Sequence, residues 1–131
     1  MGTPAETRPT ILLVEDEWIV RDAVARGLEA LGYVVEEAAN GDEALAVLKG
    51  GCKPDLLFTD IRLPGSMDGW QLAEAARAAC PDIPVIYATG YADVEARYVP
   101  RSAFLRKPYR LSLVIRAAEA LGVPPWAGSS C

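Results

Sequence analysis

The sequence predicts an α/β fold: a doubly wound, five-stranded parallel sheet with helices on both faces. Three observations predict it. Short apolar runs of strand length alternate with segments whose apolar residues recur at helical spacing, the alternation persists along the chain, and the runs end at polar or charged residues. Repeated alternation of this kind implies parallel strands joined by right-handed crossovers, which put helices on both faces. The 131 residues, 51% of them hydrophobic, suffice for one core and leave no room for a second domain of useful size.

Thr10 to Val14 is a near-continuous apolar run, the pattern of a central strand covered on both faces. Val20, Val24, Leu28 and Leu31 then mark a helix that Gly32 stops. Tyr33 to Glu36 forms a short second strand. Asn40 is placed to cap the next helix, with Glu43 positioned to reach back to it; Ala44, Leu45, Val47 and Leu48 form its apolar face, and Gly50-Gly51 ends it. The third strand, Asp55 to Asp60, breaks into a Pro64-Gly65 loop. Asp68 and Gln71 repeat the capping spacing for a helix to Cys80, closed by Pro81. Ile83 to Ala88 is the fourth strand and ends at Thr89-Gly90-Tyr91. Residues 92–100 predict one or two irregular helical turns. Ser102 to Arg106 is the fifth strand, Lys107-Pro108 a turn, and Leu111, Val114, Ile115, Ala118 and Leu121 mark the closing helix. Residues 1–9 read as a disordered leader, 10–121 as the domain, and 122–131 as a flexible tail with little to bury.

Composition excludes several function classes. Cys52, Cys80 and Cys131 are far apart and form no Cys-x-x-Cys pair, which argues against a disulfide framework and a zinc site and matches free thiols in the cytoplasm. Histidine is absent, so Ser-His-Asp and Cys-His chemistry is excluded and the chain cannot carry a phosphohistidine. A net charge of -5 without clustered lysine or arginine argues against nucleic acid as a partner. No apolar run approaches the roughly 20 residues of a membrane span, so no membrane partner is expected.

Ligands of such sheets bind at the carboxyl ends of the strands. Glu15-Asp16, Asp60, Thr89 and Lys107 end the first, third, fourth and fifth strands, so five side chains converge on one lip. Close carboxylates repel by about 4 kcal/mol per pair at an effective dielectric near 20, which makes the site costly unless a cation enters. Oxygen donors without histidine or thiolate select a hard ion, and few protein ligands with open positions suit Mg2+ better than calcium. Lys107 and Thr89 supply the ammonium and hydroxyl that a transferring phosphoryl group needs. Asp60 is best placed to attack, giving an acyl phosphate, with Glu15 and Asp16 holding the ion directly or through water. Taken singly, each residue also has a plain structural reading. Asp60 could cap a loop, Glu15-Asp16 could start a helix, Thr89 could satisfy a turn and Lys107 could be a surface charge. Their joint occurrence at four strand ends favours the shared site.

From Thr10 to Leu121 the sequence resembles the receiver domain of two-component response regulators, of the single-domain type. Ile11-Leu12-Leu13-Val14-Glu15-Asp16-Glu17 is similar to the family's acidic-pair strand, Thr59-Asp60 through Gly69 to its phosphoacceptor loop, Ala88-Thr89-Gly90 to its Thr/Ser strand end and Lys107-Pro108 to its lysine turn. The resemblance implies a flavodoxin-like strand order 2-1-3-4-5. It implies Asp60 as the phosphorylation site, with Mg2+ held by Asp16, Asp60 and the backbone carbonyl of Arg62 and supported by Glu15. It further implies Thr89 and Lys107 on the phosphoryl group, Thr89 and Phe104 as the switch pair, and a cis bond before Pro108. The implied donor is a sensor histidine kinase or a histidine phosphotransfer protein, and the output a downstream protein partner met by the surface of residues 91–106. The implied role is a switch that assists its own phosphorylation and dephosphorylation, not an enzyme acting on other substrates. The sequence departs from the pattern at Ser66, an extra loop residue, at Phe104, which lacks a hydroxyl, and between Thr89 and Lys107, which is shorter than usual. Arg62 and Tyr91, each two positions past a site residue, are placed to tune water access.

Other readings use the same residues. A pseudo-receiver would be a protein-interaction module without phosphorylation, although the intact lip argues against it. A receiver fragment of a hybrid kinase would share the chemistry. An aspartyl-nucleophile phosphatase needs a second acid where Arg62 stands, and a flavodoxin needs a Ser/Thr/Gly-rich phosphate loop after the first strand, which is lacking.

Overall fold

The computed structural model describes residues 8–51, 53–90 and 99–126. Strands β1 (Thr10–Val14), β2 (Val34–Ala38), β3 (Leu56–Asp60), β4 (Val85–Thr89) and β5 (Ser102–Arg106) form one parallel sheet in the order β2-β1-β3-β4-β5. The helices among the described residues are α1 (Trp18–Ala30), α2 (Gly41–Lys49), α3 (Gly69–Ala79) and α4 (Leu111–Ala120). The irregular turns expected over 92–100 fall largely on residues 91–98, outside the described residues, as do Cys52 and Cys131.

Strand alternation divides the core into two layers. Leu12, Val14, Leu57, Val85 and Tyr87 face α2 and α3, where Ala44, Leu48, Trp70, Leu72 and Ala76 cover them. Ile11, Leu13, Leu56, Phe58 and Ile86 face α1 and α4, covered by Ala25, Leu28, Val114 and Ala118. Both β3 and β4 are buried along their whole length, which is why they read as unbroken apolar runs. Edge strand β2 is mostly exposed or half-buried.

Several element ends differ from the expectation, each for a local reason. The third strand starts at Leu56, one residue after Asp55, whose carboxylate accepts the Thr10 N–H and whose own N–H donates to the Thr10 carbonyl, both at 2.7 Å. The fourth starts at Val85, after Pro84, whose nitrogen has no hydrogen to donate. The second starts at Val34 and runs on to Ala38. Tyr33 precedes it, buried, and donates its hydroxyl to the Val123 carbonyl at 2.8 Å. Val123 is buried too, so the start of the segment expected to have little to bury is packed into the domain. Nearby, the Arg8 guanidinium lies 4.5 Å from the centre of the Trp126 ring.

Both predicted N-caps form. Asn40 accepts the Glu43 N–H at 2.8 Å, but the Glu43 carboxylate returns to the Ala39 N–H, one residue before the expected Asn40. Asp68 and Gln71 make a reciprocal capping box at 2.8 and 2.9 Å. Gly32, at φ +99, ends α1 in the left-handed region that glycine tolerates.

Candidate functional site

Strand register assembles the lip. Val14 pairs with Thr59, so Glu15 leaves β1 level with Asp60; Asp60 pairs with Ala88 and Thr89 with Arg106, so Thr89 and Lys107 follow one step above. One carboxylate oxygen from each of Glu15, Asp16 and Asp60 lies within 4.8 Å of the other two. Glu15 and Asp60 are buried and Asp16 is exposed. Lys107 Nζ reaches across to Glu15 Oε1 at 2.8 Å and to both oxygens of Asp60 at 2.8 and 3.0 Å. Its peptide bond to Pro108 is cis, and its N–H donates to the Thr89 carbonyl at 2.8 Å. These residues, with Glu17, Arg62 and Gly90, line an open cavity of about 500 Å³.

Burial and the neighbouring Glu15 charge push the Asp60 carboxyl up to about 7, against the opposing pull of Lys107. Burial also works against the charged form of Glu15. The bonds from Lys107, from Asp60 and from the Glu17 N–H outweigh it and hold Glu15 below its ordinary value. Lys107 is desolvated, yet its two carboxylate partners raise its pKa, so it stays charged. The result is an Asp60 carboxyl whose pKa is raised, beside a Lys107 ammonium that stays charged.

The donor set fits a magnesium ion. Three carboxylates converge, no histidine or thiolate is present, and exposed Asp16 leaves the cavity side open for water or phosphate oxygens. The structure thus brings Glu15, Asp16, Asp60, Arg62, Thr89 and Lys107 to one cavity. Phe104 is not among its lining residues: the residue is 44% exposed, and its ring stacks at 6.5 Å on Trp70. Tyr91 lies outside the described residues.

Sequence reasoning misses three supporting groups. The Glu17 N–H donates to Glu15 Oε2 at 3.1 Å, and Arg21 donates to the Glu15 carbonyl at 2.8 Å. Gly69 lies so close to β3 that a Cβ there would come within 2.1 Å of the Asp60 carbonyl oxygen. The Asp68-Gly69 pair at the start of α3 was the available signal for the last; nothing local marks the others.

Comparison with known proteins gives one answer. A family model, the response regulator receiver domain, matches residues 11–119. The chain is 44% identical over 107 residues to the sensor kinase CckA of Brucella abortus, covering 78% of this chain and 11% of that protein. It is 33% identical to the C4-dicarboxylate transport transcriptional regulatory protein DctD of Rhizobium meliloti, over 85% of this chain and 25% of that one. The chain therefore spans only a small part of these relatives. Among solved structures, a response regulator receiver protein from Sinorhizobium medicae superposes with a TM-score of 0.82 at 36% identity, covering 87% of this chain and 94% of the other. The receiver domain of the hybrid histidine kinase CckA superposes with a TM-score of 0.75, also at 36% identity, over 86% and 97%.

Proposed function

The chain belongs to the response regulator receiver domain family, and from that premise we propose that it is a phosphoacceptor switch in which Asp60 takes a phosphoryl group from a phosphohistidine. The single observation carrying this reading is the Lys107 ammonium bonded to both Glu15 and Asp60 beside a third acid, Asp16. The chain has no histidine, so the donor is another protein's histidine: a sensor kinase or a histidine phosphotransfer protein.

An Asp60 carboxylate oxygen forms the new P–O bond as the donor's P–N bond breaks, and the leaving imidazole keeps the electron pair. Asp16, Asp60 and the Arg62 carbonyl, supported by Glu15, would hold a magnesium ion, which would supply positive charge to offset the carboxylates and the phosphoryl oxygens. Lys107 needs only a small shift from Asp60 to pair with a phosphoryl oxygen, and Thr89 donates its hydroxyl to another. The bond changes made by Lys107 and Thr89 pull on β4 and β5. That pull alters the Phe104 side of the sheet, the part of the expected 91–106 output segment that lies among the described residues, where a downstream protein would bind. We place the protein in the cytoplasm, without nucleic acid or membrane as a partner.

A second reading rests on the 44% identity to a sensor kinase of which the matched part is 11%: the same phosphoacceptor working as the receiver of a hybrid kinase relay. The chemistry at Asp60 is common to both. Incubation with acetyl phosphate and Mg2+, followed by intact mass, is expected to add one phosphoryl group to the wild type and none to Asp60→Asn. Persistent addition to the variant overturns the assignment, and an unlabelled wild type favours a non-phosphorylated interaction module.

A further inference from the structure

Asp16 raises a question that the bonds at the lip leave open. Glu15 and Asp60 are each oriented by Lys107, but among the described residues no hydrogen bond or ion pair orients the exposed Asp16 carboxylate. With no bond to hold its rotamer, what that carboxylate can reach is set by where its backbone lies, and specifically by the peptide that joins it to Glu15. That peptide's carbonyl, Glu15 O, accepts a hydrogen bond from Arg21 Nη1 at 2.8 Å. The guanidinium is itself anchored from the other side, because Arg21 Nε donates to Glu37 Oε1 on β2 at 3.2 Å. The Glu15 N–H meanwhile donates to the Ala38 carbonyl, also on β2, at 3.1 Å. Both ends of residue 15 are thus tied to one edge strand, directly at the nitrogen and through Arg21 at the carbonyl.

We propose that Arg21 is a positioning residue for the cation site: it locks the Glu15–Asp16 peptide so that the Asp16 carboxylate faces Asp60. A guanidinium suits this task because its planar fork can hold a carbonyl and a carboxylate at once, which a lysine ammonium on a flexible stem does less rigidly. Glu37 also offsets the guanidinium charge, so the brace adds little net repulsion toward an entering dication. The inference rests on the cation site described above, and its test reads cation binding and metal-free stability instead of phosphorylation.

The experiment titrates Mn2+, a hard ion whose free form is counted by electron paramagnetic resonance, into the full chain as wild type, Arg21→Met and Arg21→Lys. Thermal melting in chelator is recorded for each. Methionine keeps much of the apolar stem and removes the donors. Loss of a positive charge near a cation site would by itself tighten Mn2+ binding, so the two ideas predict opposite signs. Positioning predicts about tenfold weaker binding by Arg21→Met, with Arg21→Lys in between. Equal or tighter binding by Arg21→Met overturns the proposal, even if its melting temperature falls, because the brace is then structural only. Should Arg21→Met fail to fold, the charge-conserving Arg21→Lys decides alone: weaker binding than wild type supports positioning, and equal binding overturns it. A wild type that binds no Mn2+ overturns the cation site itself.

Discussion

Lys107 Nζ lies 2.8 Å from Oδ1 of Asp60, a contact between residues that close β5 and β3 on either side of β4. The ammonium occupies one flank of the carboxylate that, on the proposed function, would share its charge with a phosphoryl group. Replacing it isolates two roles. Lys107→Met leaves buried Glu15 and Asp60 facing each other without compensation, and we expect the metal-free protein to lose about 2 kcal/mol at pH 8, a figure below that for fully buried pairs because Lys107 is partly exposed. Mg2+ should restore most of that loss, whereas labelling by acetyl phosphate should stay at least tenfold slower than wild type. Urea melts with and without Mg2+, beside a labelling time course, check both halves.

The raised carboxyl of Asp60 sets a pH dependence whose sign is definite. The folded protein holds that proton up to about pH 7, whereas the unfolded chain releases it near the ordinary value of 3.8. The stabilising contribution is complete below the unfolded value and is lost as pH rises through the folded one, at a rate of at most roughly 1.4 kcal/mol per pH unit. Depressed Glu15 acts oppositely, and its contribution is lost only as pH falls through its low folded value. Metal-free wild type should therefore lose stability relative to Asp60→Asn between about pH 4 and pH 7. Parallel stability curves for the two proteins across that window would refute the shift.

The lip was legible because each of its residues terminates an apolar run, and parallel strands of similar length bring such ends to one level. The central strands were legible for the same reason: burial on both faces removes alternation and leaves a plain apolar stretch. What could not be read is support that crosses elements. Arg21 has the helical position of an ordinary surface charge until β2 places Glu37 beside it. Tyr33 has the pattern of a strand residue, yet its hydroxyl finds the Val123 carbonyl 90 positions away. Phe104 was legible as an aromatic on β5 but not as the partner of Trp70, since that pairing depends on how α3 leans on the sheet.

Gly69 allows a comparison between two kinds of glycine. A Cβ there would lie 2.1 Å from the Asp60 carbonyl oxygen and 2.7 Å from Ile61 Cα, both backbone atoms that cannot yield without moving the end of β3 at Asp60. A Cβ on Gly65 would meet nothing within 4 Å, but that residue sits at φ +93. Gly69→Ala should cost about 3 kcal/mol through forced backbone displacement, whereas Gly65→Ala should cost about 1 kcal/mol through conformation alone. Gly69→Ala should also slow labelling of Asp60, since the nearest displaced atom is that residue's own carbonyl oxygen. Denaturant melts that rank the two substitutions the other way would show that the α3 start is not what holds β3 in place.

The contact between Phe104 and Trp70 offers a direct readout of the proposed switch. Trp70 is buried, with its ring 4.7 Å from Tyr87 and 6.5 Å from Phe104, whereas Trp18 is well exposed. Phe104 has no hydroxyl, so a response to Thr89 must travel through packing, and a change of its rotamer changes what the Trp70 indole touches. In a Trp18→Phe, Trp126→Phe background, acetyl phosphate with Mg2+ should shift or quench Trp70 emission in step with phosphoryl incorporation measured by mass. Phe104→Ala should incorporate phosphoryl at a rate within about twofold of wild type, because the ring does not line the site, and should lose most of the emission change. Full incorporation with unaltered Trp70 emission in the parent background would remove Phe104 from the proposed switch and send the output through another part of the molecule.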